Sequence, residues 1–153
     1  MKTMQDLLAE HRFLDGIPDE WLEPLSLQAR RSARHAGGRL FHADRPARHF
    51  WLIISGQVDI DTTAPDGGDA VVDTLGAGEV VGWSWLFPPY TWHFGAIAVA
   101  PTQAIEFDAQ GVRRLCDREP ALGYELSRRF MVVLLRRLQA TRDRCATHGV
   151  PAS

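Results

Sequence analysis

Six short runs rich in β-branched and aromatic residues crowd the middle of this chain: RLFHA, HFWLIISGQVDIDTT, DAVVDTL, EVVGW, FGAIAVA and AIEFD, within residues 37–110. Turn residues punctuate that zone at 37–38, 44–46, 55–56, 65–68, 76–78 and 88–89, where glycine, proline, aspartate or serine cluster. About eight short strands at this spacing point to a sandwich or a jelly-roll barrel. VDIDTT alternates Val58, Ile60 and Thr62 with Asp59 and Asp61, the pattern of a strand with one face in water. APDGGDA predicts a hairpin tip, because Asp-Gly-Gly tolerates φ > 0.

Helical patterns flank the strands. Residues 1–36 read as helical: Met4, Leu7, Leu8, His11 and Leu14 fall at helical spacing, Thr3 and Asp6 resemble a capping box, and Gly16 is a stop. A second helix restarts at Pro18 with acids in its first turn and turns Trp21, Leu22, Leu25 and Leu27 inward. Residues 111–146 return to helix, first a short one ending near Pro120, then a run of about 25 residues and 38 Å at 1.5 Å per residue. Leu122, Leu126, Phe130, Val133 and Leu134 form one apolar stripe; Met131, Leu135 and Leu138 form another, rotated from it. Residues 131–135 are apolar all round, which predicts burial on two sides. One side meets the strands and the other a partner, so a homodimer through parallel C-terminal helices is expected, with Phe130, Met131, Leu134, Leu135 and Leu138 as its interface. The alternative is a monomer whose helix folds back on itself.

With 153 residues, 45% hydrophobic, the chain is expected to form one domain over residues 1–153 with a sizeable core. MKTMQDLLAEHRF lacks the apolar centre of a secretory leader, and no run approaches the ~18 apolar residues of a membrane span. Together with only two cysteines, Cys116 and Cys145, this predicts a cytoplasmic protein with reduced thiols and no membrane association. His35, His42 and His49 recur every seven residues but lack a His-x-His step, so no metal site is expected. No nucleophile–base–acid order, glycine-rich phosphate loop or paired carboxylates argue for catalysis, so no catalytic residues are expected and the chain is not read as an enzyme. Residues 49–112 contain no Lys or Arg, yet carry Asp59, Asp61, Asp66, Asp69, Asp73, Glu79, Glu106 and Asp108. An anion brought to that stretch would find no strong cation within it.

The order of these motifs resembles one family. Residues 11–60 are similar to the opening of a cyclic nucleotide-binding domain of the catabolite-activator type, with Ile53, Gly56 and Val58 filling its I-x-x-G-x-V step. Gly56 suits a tight strand-to-strand turn that needs φ > 0, and Asp44, which tolerates the left-handed region, stands where the family has a turn glycine. DTLGAGEVVG resembles the L-x-x-G-x-x-x-G lead-in through Leu75, Gly78 and Gly82; AIAVAPTQAIEFD resembles the closing strands, and residues 111–146 the hinge and dimer helix. The resemblance implies a mainly β fold with flanking helices: a double-stranded β-helix, or jelly roll, with N-terminal helices and a long C-terminal helix.

It also places GEVVGWSWLFPPYTWHF, residues 78–94, at the phosphate-binding cassette, where members grip a cyclic nucleotide with backbone N–H groups, an acid on the ribose and an Arg on the phosphate. Here Gly82 matches the glycine, but Trp83 stands in the acid's place and Trp92 in that of the Arg, with His93 beside it. Tight cyclic-AMP binding in the family manner is therefore not expected, and no cofactor is implied with certainty; haem, through His93 or Cys116, has no support in the spacing. Val81, Gly82, Trp83, Ser84, Trp85, Trp92, His93 and Phe94 are the candidate ligand-binding residues. Either the aromatics wall a pocket for a planar effector, making the chain a regulatory sensor module, or the indoles fill the pocket and leave a dimerisation or interaction domain that docks on a partner protein. Only eight residues follow Cys145, too few for a helix-turn-helix, so DNA binding by this chain alone is not expected.

Overall fold

The computed structural model describes residues 2–63 and 69–147. Thr3 opens the first helix, α1 (Met4–Glu10): its hydroxyl accepts from the Asp6 N–H while the Asp6 carboxylate accepts from the Thr3 N–H. A 3-10 turn (Arg12–Leu14) and α2 (Asp19–Ser26) follow, with Pro18 capping α2 and Asp19 and Glu20 in its first turn. Helix ends there. Leu27, expected to face inward, lies beyond the last turn and is exposed.

Residues 29–34, expected to be helical, form strand β1 (Ala29–Arg34), which pairs antiparallel with β8 (Thr102–Asp108). Ala and Arg favour helix by themselves, but tertiary pairing overrides them. Glu106 of β8 is buried, accepts from the Trp51 indole N–H at 3.0 Å, and draws Arg30 and Arg34 of β1 into ion pairs. A helix here would leave that carboxylate buried without its cations, a heavy penalty.

The remaining strands are β2 (Arg39–Phe41), β3 (His49–Ser55), β4 (Gln57–Thr63), β5 (Asp69–Gly76), β6 (Val80–Val81) and β7 (Gly95–Ala98). They form two four-stranded antiparallel sheets, ordered β1-β8-β3-β6 and β2-β7-β4-β5, which close into the expected jelly roll. Leu52, Ile53, Val58, Leu75 and Ile105 fill the space between them. At the β3–β4 turn Gly56 has φ 104, and a Cβ there would lie 2.4–2.6 Å from Pro101 and Thr102, so both conformation and space require glycine. Asp44 adopts φ 69, as its turn position predicts. Asp61 departs from the simple alternation: a register shift between Ile60 and Asp61 leaves its carboxylate largely buried, where Arg39 holds it through bonds of 3.1 and 2.8 Å. The expected hairpin tip at 64–68 lies outside the described residues.

After β8 come α3 (Ala109–Arg118) and the 28-residue α4 (Pro120–Thr147). Phe130, expected at a dimer interface, is instead the pin that fastens α4 to the roll. It packs edge-on against Phe13 (4.9 Å), Trp85 (5.5 Å) and Phe50 (5.6 Å), while Phe50 stacks flat on Trp85 and Phe107. Leu134 is half-buried, whereas Met131, Leu135 and Leu138 remain exposed. The side chain of Cys145 lies outside the described residues. No helix among the described residues is long and apolar enough to cross a membrane.

Candidate functional site

Residues 78–94 run through β6 and turn where that strand ends. Val80 and Val81 point into the core, Gly82 turns the chain at φ 96, and Trp83 leads into a 3-10 turn (Ser84–Leu86). A cis Pro88–Pro89 peptide follows. The returning chain is stitched to residues 44–47 by main-chain bonds: Trp92 N–H to Arg45 O (2.9 Å), Asp44 N–H to Trp92 O (2.8 Å) and Ala47 N–H to Tyr90 O (2.7 Å). Those bonds fix where the Trp92 side chain can go.

It goes inward. Trp92 is 4% exposed and stacks on Phe41, with ring centroids 3.7 Å apart and planes 14° from parallel. Its six-membered ring lies over Gly82, close enough that a Cβ on residue 82 would sit 2.7 Å from Cη2. Of the candidate residues, Gly82, Trp83, Ser84, Trp92, His93 and Phe94 come together, joined by Phe41 and Ile60 from the sheet. They line a half-open cavity of about 20 Å³. That is room for about one water, whereas ligand sites run to about 300–1,000 Å³. Val81 and Trp85 do not line it. Both are fully buried, and Trp85 belongs to the aromatic core that receives Phe130, its indole N–H buried without a partner.

The absence of Lys and Arg from residues 49–112 does not leave the cassette without cations. Arg137 of α4 reaches it across the fold: its guanidinium stands 4.6 Å from the Trp83 ring centroid, donates to the Val80 carbonyl at 2.5 Å and lies 3.7 Å from the Asp73 carboxylate. Its Nη1 is buried without a hydrogen-bond partner, and burial pulls the guanidinium pKa down against the opposing pull of Asp73 and Glu79. Arg113 of α3 does the same on the other flank, 4.4 Å from the Tyr90 centroid and donating to the Trp85 carbonyl at 2.8 Å. Arg137 is therefore packed against this segment and is not part of a solvated basic face of α4. Its signal was present: Arg137 follows the core residue Phe130 by seven positions, two helical turns on the same face. Cys116 sits where α3 meets Gly123 of α4, and burial pushes its thiol up to about 11, so it stays protonated at neutral pH.

A family model of the cyclic nucleotide-binding domain matches residues 33–119. The chain belongs to that family. A curated relative, the CRP-like cAMP-activated global transcriptional regulator of Mycobacterium tuberculosis, is 26% identical over 143 residues, 94% of this chain and 62% of the relative. The chain thus spans 62% of that regulator's length. Among solved structures, a cyclic nucleotide-binding domain from Methylobacillus flagellatus has a TM-score of 0.80 at 18% identity, covering 98% of this chain and 84% of that one. The catabolite activator protein of Thermus thermophilus has a TM-score of 0.70 at 20% identity, covering 90% and 63%. These likenesses establish the jelly-roll fold of a cyclic nucleotide-binding domain.

Proposed function

We propose that this family member is a non-enzymatic regulatory module that pairs through α4 and whose cassette is occupied by its own indoles in place of a cyclic nucleotide. The observation that carries the reading is Trp92, stacked on Phe41 over Gly82 with about 20 Å³ left beside it. Trp83 and Trp92 also replace the acid and the Arg that would hold ribose and phosphate, and the two cations that reach the cassette are engaged, Arg137 with Trp83 and Val80 and Arg113 with Tyr90 and Trp85. Pairing is supported by the outer face of α4, where Tyr124, Met131, Leu135 and Leu138 are 56–68% exposed and repeat at intervals of three, four and seven. Calorimetry and indole fluorescence with cyclic AMP and cyclic GMP test the reading: no nucleotide is expected to displace the Trp92 ring, and low-micromolar binding that quenches indole emission and is lost in Trp92→Phe would overturn it.

A second reading is favoured by Gly82. If the Trp92 ring swings away, it uncovers a positive-φ glycine beside Ser84, the floor of a ligand cradle. The M. tuberculosis relative is described as cAMP-activated, and in this reading a planar effector enters the present chain by displacing Trp92 and stacking on Trp83, oriented by Ser84 and His93. Quenching of indole fluorescence by such a ligand, lost in a Trp92→Ala protein of unchanged stability, would select this reading over the first.

A further inference from the structure

Away from the cassette, a cleft of about 310 Å³ opens between the Arg12–Leu14 turn, the chain entering β6 and the flank of α4. Its rim is almost entirely arginine. Arg12 comes from the turn, and Arg128, Arg129, Arg136 and Arg137 come from successive turns of α4. Phe13, Val80 and Val133 give it an apolar floor, and the exposed Val132 stands at its edge. We propose that this cleft binds a small phosphorylated organic molecule, its phosphate held by the arginines and its body resting on the apolar floor.

Three observations carry this. The first is charge. Glu79 is the one acid lining the cleft, and its carboxylate is already engaged by the Gly76 N–H at 2.6 Å. Glu125 is shared by Arg128 and Arg129, and Asp73 lies near Arg137. Even with all three acids counted against the five arginines, two positive charges remain. A phosphate monoester brings about −1.5 to −2 at neutral pH.

The second is pre-organisation. Arg129 donates to the Phe13 carbonyl at 2.7 Å and Arg137 to that of Val80, so two guanidinium groups are pinned to main chain on opposite walls instead of trailing into solvent. Arg137 keeps one buried nitrogen unpaired. The third is the unspent cations. The guanidinium groups of Arg12 and Arg136 have no hydrogen-bond or ion-pair partner among the described residues, and that of Arg12 lies against Gly78, 3.1 Å from where a Cβ would stand. Planar guanidinium forks suit bidentate capture of phosphate oxygens, and the volume matches the small end of ligand sites, about 300 Å³.

On α4, Arg129, Val133, Arg136 and Arg137 lie off the face of Met131, Leu135 and Leu138, while Arg128, seven positions before Leu135, borders it, so for four of its five arginines the site does not depend on the pairing proposed above. Nor does it depend on the cassette being filled. Because Arg12 and Arg136 sit on separate elements, a bound phosphate would tie the N-terminal turn to the long helix.

The test uses the full chain with inorganic pyrophosphate and AMP as probes, each against sodium chloride of matched ionic strength. Saturable binding by calorimetry and a rise in melting temperature are expected for at least one probe. The Arg12→Gln, Arg136→Gln double variant, which changes two exposed side chains, should keep its circular dichroism and weaken binding by about tenfold or more, the scale of a lost charged contact. Trp92→Phe should leave binding unchanged. Absence of saturable binding by both probes overturns the proposal, as does binding that survives the double variant. Binding lost in Trp92→Phe but kept in the double variant would move the ligand to the cassette and overturn both this proposal and the self-filled reading. Failure to bind here would leave the cassette reading intact.

Discussion

The ring of Trp92 covers Gly82 at a distance that leaves no room for a Cβ, 2.7 Å from Cη2. The two residues define each other: the glycine has φ 96 and no side chain, and the indole occupies the space that results. Removing the ring empties a core position, so Trp92→Ala should cost about 3–5 kcal/mol, a large share of the roughly 5–15 kcal/mol that holds a domain together. Gly82→Ala should also destabilise, through the left-handed backbone and the displaced ring. Urea denaturation of the two variants checks both expectations. A Trp92→Ala protein of wild-type stability would show that the indole is a lid over a pocket, contrary to the self-filled reading.

Arg137 binds the cassette to α4 through one side chain. Replacing it with alanine removes the contact with Trp83 and leaves the Val80 carbonyl without its donor. The expected loss is about 1–3 kcal/mol for a buried hydrogen-bonding group left unpaired. Arg137→Met should lose less, because the apolar stem of the arginine is retained in outline. Trp83 emission should shift to longer wavelength in the alanine variant as water reaches its face, and an unshifted spectrum with unchanged stability would refute the coupling.

Local chemistry was legible in the sequence wherever one residue type has few alternatives. Gly56 and Asp44 sit at positive φ, Thr3 and Asp6 form their capping box, and Pro120 opens α4 just after α3 ends. What escaped depends on partners far along the chain. Strand β1 is held by Glu106, 76 positions beyond Arg30, and Arg137 reaches Val80 over 57 positions, so a charge count within residues 49–112 could not find it. A one-residue register shift carried Asp61 inward, where strict alternation predicts water. On α4 the two apolar stripes are adjacent, and only the roll decides that Phe130 belongs to the core and Met131 to the outside. Gly82, Trp83, Ser84, Trp92, His93 and Phe94 were legible as neighbours, but whether the indoles turn inward depends on Phe41 and Ile60, contributed by β2 and β4.

Pairing through α4 should be visible by light scattering, with a dimer mass at tens of micromolar chain. Leu135→Glu with Leu138→Glu should give a monomer, since burying a leucine is worth about 1.5–3 kcal/mol and burying a carboxylate in its place is unfavourable. Both side chains are exposed in the single chain, so the monomeric roll should keep its circular dichroism. A wild-type monomer would remove the pairing proposal, and a dimer that survives both substitutions would move the interface elsewhere.

His11 makes the fold sensitive to pH in a direction its geometry dictates. Its Nδ1 accepts from the Phe13 N–H at 3.1 Å, which assigns the ring proton to Nε2, 2.9 Å from the Ile53 carbonyl. Protonating Nδ1 would set two N–H groups against each other. Burial lowers the His11 pKa from 6.5, the Ile53 carbonyl opposes this by stabilising the charged ring, and the nearby Arg12 charge adds to the lowering. The unfolded chain therefore takes up a proton at a higher pH than the folded one. At neutral pH and above, neither state is protonated and there is no penalty. As pH falls through the unfolded value, stability declines, and it levels off only below the folded pKa. Urea midpoints between about pH 8 and pH 5 should fall more steeply for the wild type than for His11→Gln, which carries no titrating ring. Because the two proteins differ only at residue 11, contributions common to both cancel from the comparison. Parallel pH profiles would show that His11 is not held as the neutral ring, and a steeper profile in the variant would reverse the sign of the argument.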